Sequence, residues 1–357
     1  MKNLLIFCLI ALFFSCHNEG IKDINAFKNV KQFNDEDFEE QKVYSNKQYS
    51  LLYKINDIIV KDSILIVCTT NKKAPVSLLN KYSFVKISEG GCYGNGPGEQ
   101  LYFYNLSNIN NSSKFWVSDI ITKRITRYDT YSLIMLDTNY HPRIQLNLNK
   151  EGKSIYSPIM LTNKIIGPSM DGIARLYIFD LQGNLLSKGG VIPLKKNEQI
   201  PDDVNANAYY GRFDALKNDK NKVLLVKINM FSPIVEFYNE KGEEKVTLLG
   251  PEQFTPKYTV GNAGGGNMAF APDKEIRIAN SDVYLSDNFV YTLYSGKQDN
   301  NDSPAVNCNL IYQFDWKGNC YNKYILDKEV ICFYVDETAK YIYGGAADGY
   351  IYRFPIN

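Results

Sequence analysis

The chain has 357 residues, and its 40 Lys and Arg against 39 Asp and Glu give a formal net charge of +1. A balance this even provides no long-range field for nucleic acid or anionic lipid, so it argues against a nucleic-acid-binding protein. The two histidines, His17 and His141, argue against a histidine-rich metal site, and the 27 Tyr and 19 Phe favour strands.

The first residues resemble an export signal with a lipid-attachment site. Lys2 precedes an apolar run, Leu4 to Phe14, that is too short to span a bilayer but typical of a signal-peptide core. Ser15 and Cys16 then resemble the end of a bacterial lipobox, although Phe13 stands where Leu is usual. The resemblance implies cleavage before Cys16 and lipid on that cysteine. The alternatives are an ordinary secretory signal or an uncleaved anchor.

This pattern predicts three segments. They are a signal peptide at 1–15, a polar lipid-anchored tether at 16–41 and one folded domain at 42–357. We therefore expect a protein of the bacterial cell envelope that is anchored to a membrane by lipid and faces the periplasm or the cell surface. We also expect it to be a monomer. The cysteines beyond residue 16 show no zinc-binding spacing, and their apolar surroundings favour buried, unpaired thiols over a disulfide.

A short pattern of apolar and aromatic residues, followed by Asp or Asn and a Gly-containing turn, recurs along the chain. Its six occurrences centre on Tyr82, Tyr128, Phe179, Tyr238, Phe314 and Phe354. Short apolar runs bounded by polar turns surround each occurrence, as expected of strands. The gaps between these aromatic residues are 46, 51, 59, 76 and 40 residues, an irregular spacing that lies near the roughly 40–50 residues of a four-stranded propeller blade.

The sequence therefore predicts an all-β fold, a six-bladed β-propeller of four-stranded antiparallel blades. The chain ends on a strand, so the last blade needs a strand from the N-terminal side to close the ring. We place this closing strand between residues 42 and 56.

The stretch from Gly91 to Tyr104, GCYGNGPGEQLYFY, is rich in glycine. It lacks the Lys-Ser/Thr of a P-loop and the spacing and following helix of a dinucleotide fingerprint. Pro97-Gly98 suits a type II turn. We interpret Gly94, Gly96, Pro97, Gly98 and Glu99 as a structural loop that leads from the rim of one blade to the centre of the next.

The loop and the strands after it resemble the six-bladed propeller lipoproteins of Bacteroidetes-type bacteria, a group related to NHL-repeat and TolB-like propellers. The residues that carry the resemblance are Gly94, Gly96, Pro97, Gly98, Glu99, Asp119, Ile125, Tyr128 and Asp129. The aromatic residue usual after the Glu is displaced, because Gln100 stands there. The resemblance implies the propeller architecture for roughly residues 51–357. It brings no catalytic residues, since the group has no agreed set.

Two further stretches provide candidate ligand-binding residues. NANAYYGRF contains Tyr209, Tyr210 and Arg212, and NAGGGNMAF contains Asn262 and Asn267. Tyr and Arg are frequent binding anchors, and both stretches are expected to precede inner strands near the mouth of the ring. Packing in the core or on the surface is the alternative. Asp129, Asp180, Asn239 and Asp315 recur at one point of the repeat and are interpreted as turn caps.

The sequence favours a binding function over an enzymatic one. It contains no GxSxG, and neither histidine has a partner that would make it a catalytic base. We therefore expect a lipid-anchored module that binds a protein, peptide or glycan and needs no cofactor. The alternative is a calcium-assisted hydrolase or lactonase, in which Asn105, Asn108, Asp214 and Asn267 on inner strands would face the axis.

Overall fold

The computed structural model describes residues 27, 29–108, 112–148, 152, 154–192, 200–217, 223–265, 267–299 and 305–357. The predicted signal peptide, Cys16 and the first part of the predicted tether, residues 16–26, lie outside these residues. No helix among the described residues combines the length and apolarity that a membrane crossing requires.

Six antiparallel sheets form the blades of a propeller, which confirms the predicted fold class. Three short strands precede the first blade: β1 (Val30–Gln32), β2 (Glu39–Val43) and β3 (Lys47–Ser50). Blade one comprises β4 (Ile55–Lys61), β5 (Ile64–Thr69), β6 (Val76–Asn80) and β7 (Lys86–Gly90). Blade two comprises β8 (Asn105–Asn108), β9 (Lys114–Ser118), β10 (Arg124–Asp129) and β11 (Ile144–Asn147), with helix α1 (Thr130–Leu136) between its last two strands. Blade three comprises β12 (Ile159–Met160), β13 (Ile165–Pro168), β14 (Leu176–Phe179) and β15 (Leu185–Gly189).

The second half of the ring repeats this scheme with two insertions. Helix α2 (Asp202–Ala208) precedes blade four, which comprises β16 (Phe213–Lys217), β17 (Val223–Ile228), β18 (Ile234–Asn239) and β19 (Glu244–Leu249). A hairpin of β20 (Tyr258–Gly264) and β21 (Asn267–Pro272) follows. Blade five comprises β22 (Asn280–Leu285), β23 (Phe289–Tyr294), β24 (Cys308–Asp315) and β25 (Cys320–Val330). Blade six comprises β26 (Cys332–Asp336), β27 (Tyr341–Gly345), β28 (Tyr350–Pro355) and the N-terminal β3.

The predicted ring closure is confirmed. Strand β3 lies within the predicted range of 42–56 and pairs antiparallel with β28, with Tyr49 opposite Ile351. The last blade therefore contains three strands from the C-terminus and one from the N-terminus. This arrangement joins the two ends of the propeller by backbone hydrogen bonds.

The segment for which we expected a polar tether contains strand β1 and most of strand β2. They pair in parallel with β19 and β25, the outer strands of blades four and five. The physical reason is the burial of three phenylalanines in this largely polar segment. Phe27, Phe33 and Phe38 are all buried, and the ring of Phe33 lies 5.1 Å from that of Phe314. Their burial holds the chain against the rim of the propeller.

The glycine loop is a crossover between blades, as predicted. It connects β7 at the rim of blade one to β8 at the centre of blade two. The Glu99 amide donates to the Gly96 carbonyl at 3.1 Å, and Gly98 has a φ of +79°, as a type II turn requires. The Glu99 carboxylate accepts from the Gly96 amide at 2.7 Å. A Cβ on Gly94 would lie 2.0 Å from that carboxylate, so a side chain at position 94 would displace Glu99 and disrupt its bond to the Gly96 amide.

The recurring Asp and Asn residues cap turns, as interpreted from the sequence. Asp180, Asn239 and Asp315 each accept two backbone amides of the turn that follows their strand. Asp129 differs, because it precedes α1 rather than a hairpin turn, and it caps that helix by accepting from the Ser132 amide at 2.9 Å.

The second glycine-rich stretch corrects one expectation. We expected NAGGGNMAF to precede an inner strand, but it forms the end of the β20–β21 hairpin, and the inner strand of blade five is β22. The hairpin alternates small, polar and apolar residues just as a blade strand does. The sequence pattern therefore did not distinguish an inserted hairpin from the start of a blade.

Candidate functional site

A cavity of about 1050 Å³ lies on the axis of the ring. All six blades line it, through the ends of the inner strands β4, β8, β12, β16, β22 and β26 and the turns that follow them. Its rim includes Asp62, Thr162, Asp287 and Asn288, which are exposed. We call this space the wide cavity.

Arg212 closes the inner end of the wide cavity. Its Nη1 lies 3.2 Å from Oδ1 of Asp57 and 3.0 Å from Oδ1 of Asp282, and its Nη2 donates to the Asn56 carbonyl at 2.7 Å. Arg212 belongs to blade four, Asp282 to blade five and Asp57 to blade one. The guanidinium thus crosses the axis and links three blades.

A smaller depression of about 150 Å³ lies on the other side of Arg212, where the inner strands begin. Tyr102, Tyr104 and Tyr210 line it. The hydroxyls of Tyr104 and Tyr210 are 2.6 Å apart and share a hydrogen bond, and the Arg212 guanidinium lies 5.6 Å from the centre of the Tyr104 ring. The side chains around Arg212 therefore separate the two spaces.

Three inner-strand aspartates, Asp57, Asp214 and Asp282, make the same pair of contacts. We call them the inter-blade aspartates. One oxygen of each carboxylate accepts from the next amide of its own strand, and the other accepts from an inner-strand amide of the next blade. In the next blade, the Leu106 amide lies 2.7 Å from Asp57, the Leu285 amide 3.1 Å from Asp214 and the Phe333 amide 2.9 Å from Asp282.

Burial shifts the pKa of each inter-blade aspartate upward. The pKa of Asp214 is raised to about 7, first by burial and then by the charge of Asp282. The pKa of Asp282 is raised to about 6 by burial, which outweighs the opposing effect of the Arg212 charge. Burial also raises the pKa of Asp57. Asp214 and Asp282 therefore take up protons near neutral pH, far above the usual range for aspartate.

The wide cavity is acidic. Seven acidic side chains line it against two basic ones, Lys61 and Arg212. Lys61 Nζ donates to Asn108 Oδ1 at 2.7 Å, and Glu337 accepts from Tyr291 at 2.8 Å and from Ser286 at 2.5 Å. Asn105 is only 6% exposed and lines the cavity, and its side-chain amide has no hydrogen-bond partner among the described residues.

The structure brings together some of the candidate residues and separates others. Arg212 lines both spaces and Tyr210 lines the smaller one. Tyr209 is instead buried in an apolar cluster with Ile234 and Leu249. Asn262 lies on β20 and Asn267 on β21, so both belong to the inserted hairpin and not to the lining of either space.

Asn105, Asn108 and Asp214, named for the calcium alternative, do line the wide cavity. The described part of the chain nevertheless brings no three or more His, Cys, Asp or Glu side chains into a group that could hold a metal ion. All five cysteines beyond residue 16 are unpaired, and Cys68, Cys308 and Cys332 are buried.

Sequence reasoning did not identify Asp57, Asp282 or Glu337. The signal was present, since NDIIV, RFDAL and SDVYL each place an Asp early in an apolar run. An Asp in a strand is disfavoured, so it needs a specific partner in the fold.

The geometry defines a class of protein: a six-bladed propeller with an acidic axial cavity that is closed at one end by an arginine. The family described as TolB-like 6-blade propeller-like matches residues 32–338 of the chain, so the chain belongs to this family. No curated protein matches it at a significant level.

Replacing Asp282 by Ala should destabilise the ring. The change leaves the buried Val283 and Phe333 amides without acceptors and removes one partner of Arg212. We expect a loss of about 3 kcal/mol in the free energy of unfolding, measured by urea denaturation. Asp180→Ala at an exposed turn is the matched control and should lose much less. Equal losses in both variants would show that Asp282 does not hold the blades together.

Stability should fall as the pH rises from about 4 to 7 and level off above that. In this range folded Asp214 keeps a proton that the unfolded chain has lost, because its pKa is raised from 3.8 to about 7 in the fold. Each pH unit therefore lowers the free energy of unfolding by at most about 1.4 kcal/mol, until folded Asp214 also loses its proton. Asp214→Asn should reduce the slope of unfolding free energy against pH, whereas Asp180→Asn should not. An unchanged slope in Asp214→Asn would contradict the assigned titration.

Proposed function

We propose that this chain is a lipid-anchored, extracytoplasmic binding module that takes a protein, peptide or glycan ligand into the wide cavity. The observation that carries the proposal is the shape of that cavity. It is bounded by buried, hydrogen-bonded groups at Arg212 and by exposed polar residues at the rim. A cavity with one open end retains a ligand rather than passing it through the ring.

The size and lining of the cavity support this proposal. Pockets for small ligands span roughly 300–1,000 Å³. At about 1050 Å³, the wide cavity is large enough for a few residues of a peptide or a short oligosaccharide. Its polar atoms come from every blade, so a ligand on the axis would meet donors and acceptors on all sides.

The engagement of the inter-blade aspartates favours binding over calcium-assisted hydrolysis. Both oxygens of each carboxylate already accept backbone amides, and two of the three also contact Arg212. A calcium ion would have to compete with these contacts for its oxygen ligands. The calcium-dependent lactonase remains the alternative that the binding experiment must address.

The binding role is tested by narrowing the cavity. Thr162 is exposed at the rim, so Thr162→Trp should obstruct entry without disturbing the core. Thr138→Trp is the matched control, because Thr138 is exposed between α1 and β11 of blade two and does not line the wide cavity. We expect affinity capture from membranes with the full chain to recover a ligand with wild type and Thr138→Trp, and at least tenfold less with Thr162→Trp.

Two results would contradict the binding role. One is equal recovery with both tryptophan variants, since the ligand would then bind elsewhere. The other is turnover in a screen of lactones and esters that depends on calcium and is lost in Thr162→Trp. That outcome would assign the cavity to the hydrolase alternative.

The lipid anchor is tested at Cys16. If the lipobox resemblance holds, labelled fatty acid should be incorporated into wild type and the protein should sediment with membranes. Cys16→Ala should lose the label and become soluble or accumulate as the uncleaved precursor. Cys8→Ala, in the signal core, is the control and should retain the label. Labelling of Cys16→Ala would show that Cys16 is not the attachment site.

A further inference from the structure

The charges that line the wide cavity are only partly balanced by their neighbours. Arg212 is shared between Asp57 and Asp282, and Asp336 pairs at 2.6 Å with Lys81. At the rim, Asp62 interacts with Lys61, whereas Glu337 is held by neutral donors: Ser286, Asn288 and Tyr291. Seven acidic side chains against two basic ones thus leave the lining with an excess of negative charge, in a chain whose overall charge is +1. A concave surface lined by one sign of charge concentrates ligands of the opposite sign.

Asn105 provides an independent sign of a ligand. Its side chain is nine-tenths buried on the inner strand of blade two and faces the cavity, yet it bonds to no described residue. Its amide atoms are open to the cavity, so a ligand group that enters can replace water as their hydrogen-bond partner. The Asn105 carbonyl oxygen can accept from an N–H donor, and its amide can donate to a carbonyl.

We propose that the wide cavity binds a basic peptide, with its lysine or arginine side chains at the rim near Glu337 and Asp62 and its backbone deeper in the cavity at Asn105. This inference rests on the proposed binding function and names the class of its ligand. The ammonium or guanidinium group meets the carboxylates of blades one and six, and the peptide backbone supplies the partner for the Asn105 amide.

Charge selects this ligand over the other classes. An acidic glycan or a phosphorylated ligand would be repelled by the carboxylates of the rim. A neutral glycan would satisfy Asn105 but would leave the acidic groups without counter-charge. A bare divalent ion would need several convergent oxygen ligands, and the described residues bring together no three or more Asp and Glu side chains that could serve.

The probe is an N-acetylated, C-amidated trilysine peptide, titrated calorimetrically into the full chain in detergent. The matched peptide carries acetylated lysines of the same length without charge. Wild type should bind trilysine, with weaker binding at high salt, and should bind the acetylated peptide at least tenfold more weakly.

The protein variants locate the site. Glu337→Gln should weaken trilysine binding about tenfold, as the loss of a charge-assisted contact predicts. Glu240→Gln, at an exposed turn of blade four, is the control and should bind like wild type. Asp62→Asn and Asn105→Ala provide second tests. The described structure shows no side-chain hydrogen bond for either residue, and Asp62 interacts with Lys61 through its charge alone, so both variants should weaken binding with little effect on the melting temperature.

The outcomes separate this inference from the proposed function. Equal affinity for the two peptides, or trilysine binding that all three variants leave unchanged, would overturn the cationic ligand. If Thr162→Trp still abolished capture of a neutral glycan, the proposed binding function would stand without the cationic ligand. Stoichiometric calcium binding in the absence of peptide binding would overturn the inference in favour of a metal site. Failure of both trilysine binding and cavity-dependent capture would reject the cationic ligand and the proposed binding function together.

Discussion

The ring depends on polar contacts that cross from one blade to the next near the axis. A propeller has no continuous sheet across its blade junctions, so apolar packing alone would leave neighbouring inner strands free to slide. Here each junction has its own polar link. The inter-blade aspartates bind the amides of the following blade at three junctions, and Ser107 accepts from the Met160 amide at 3.4 Å at a fourth. Arg175 bonds Glu236 between blades three and four, and Lys81 bonds Asp336 between blades six and one.

These links also determine the chemistry of the cavity. An aspartate that reaches an amide of the next inner strand must lie at the axis, where burial raises its pKa. Three such carboxyls near one another would repel if all were ionised, and Arg212 offsets part of that repulsion by lying between two of them. The same guanidinium blocks the channel. The closed inner end and the acidic lining are thus consequences of how the blades are held together.

Much of the fold could be predicted from the sequence because residues close together in the chain specify the repeat. The strand ending in Asp or Asn, and the Pro97-Gly98 turn, need only neighbouring residues to specify them. The site did not follow in the same way. Tyr209 and Tyr210 are adjacent, but one packs into the core and the other faces the axis, and composition does not indicate which. The roles of Asp57 and Asp282 depend on backbone amides that lie 49 and 51 residues away in the chain. The β20–β21 hairpin had the sequence character of a blade strand, so Asn267 was assigned to an inner strand that β22 in fact provides.

The differences between the blades explain why the ring has one axial site rather than six equivalent ones. Only blade four is preceded by a helix, α2, among the described residues, and the short segment after it places Tyr210 and Arg212 at the axis. The buried cluster of Arg175, Glu236 and Lys227 fixes blade four against blade three, and Lys227 also donates to the Tyr209 carbonyl at 2.8 Å. That contact holds the backbone from which Arg212 extends. An arginine positioned in this way can reach carboxylates of blades one and five, so the asymmetry of a single blade sets the closed end of the cavity for the whole ring.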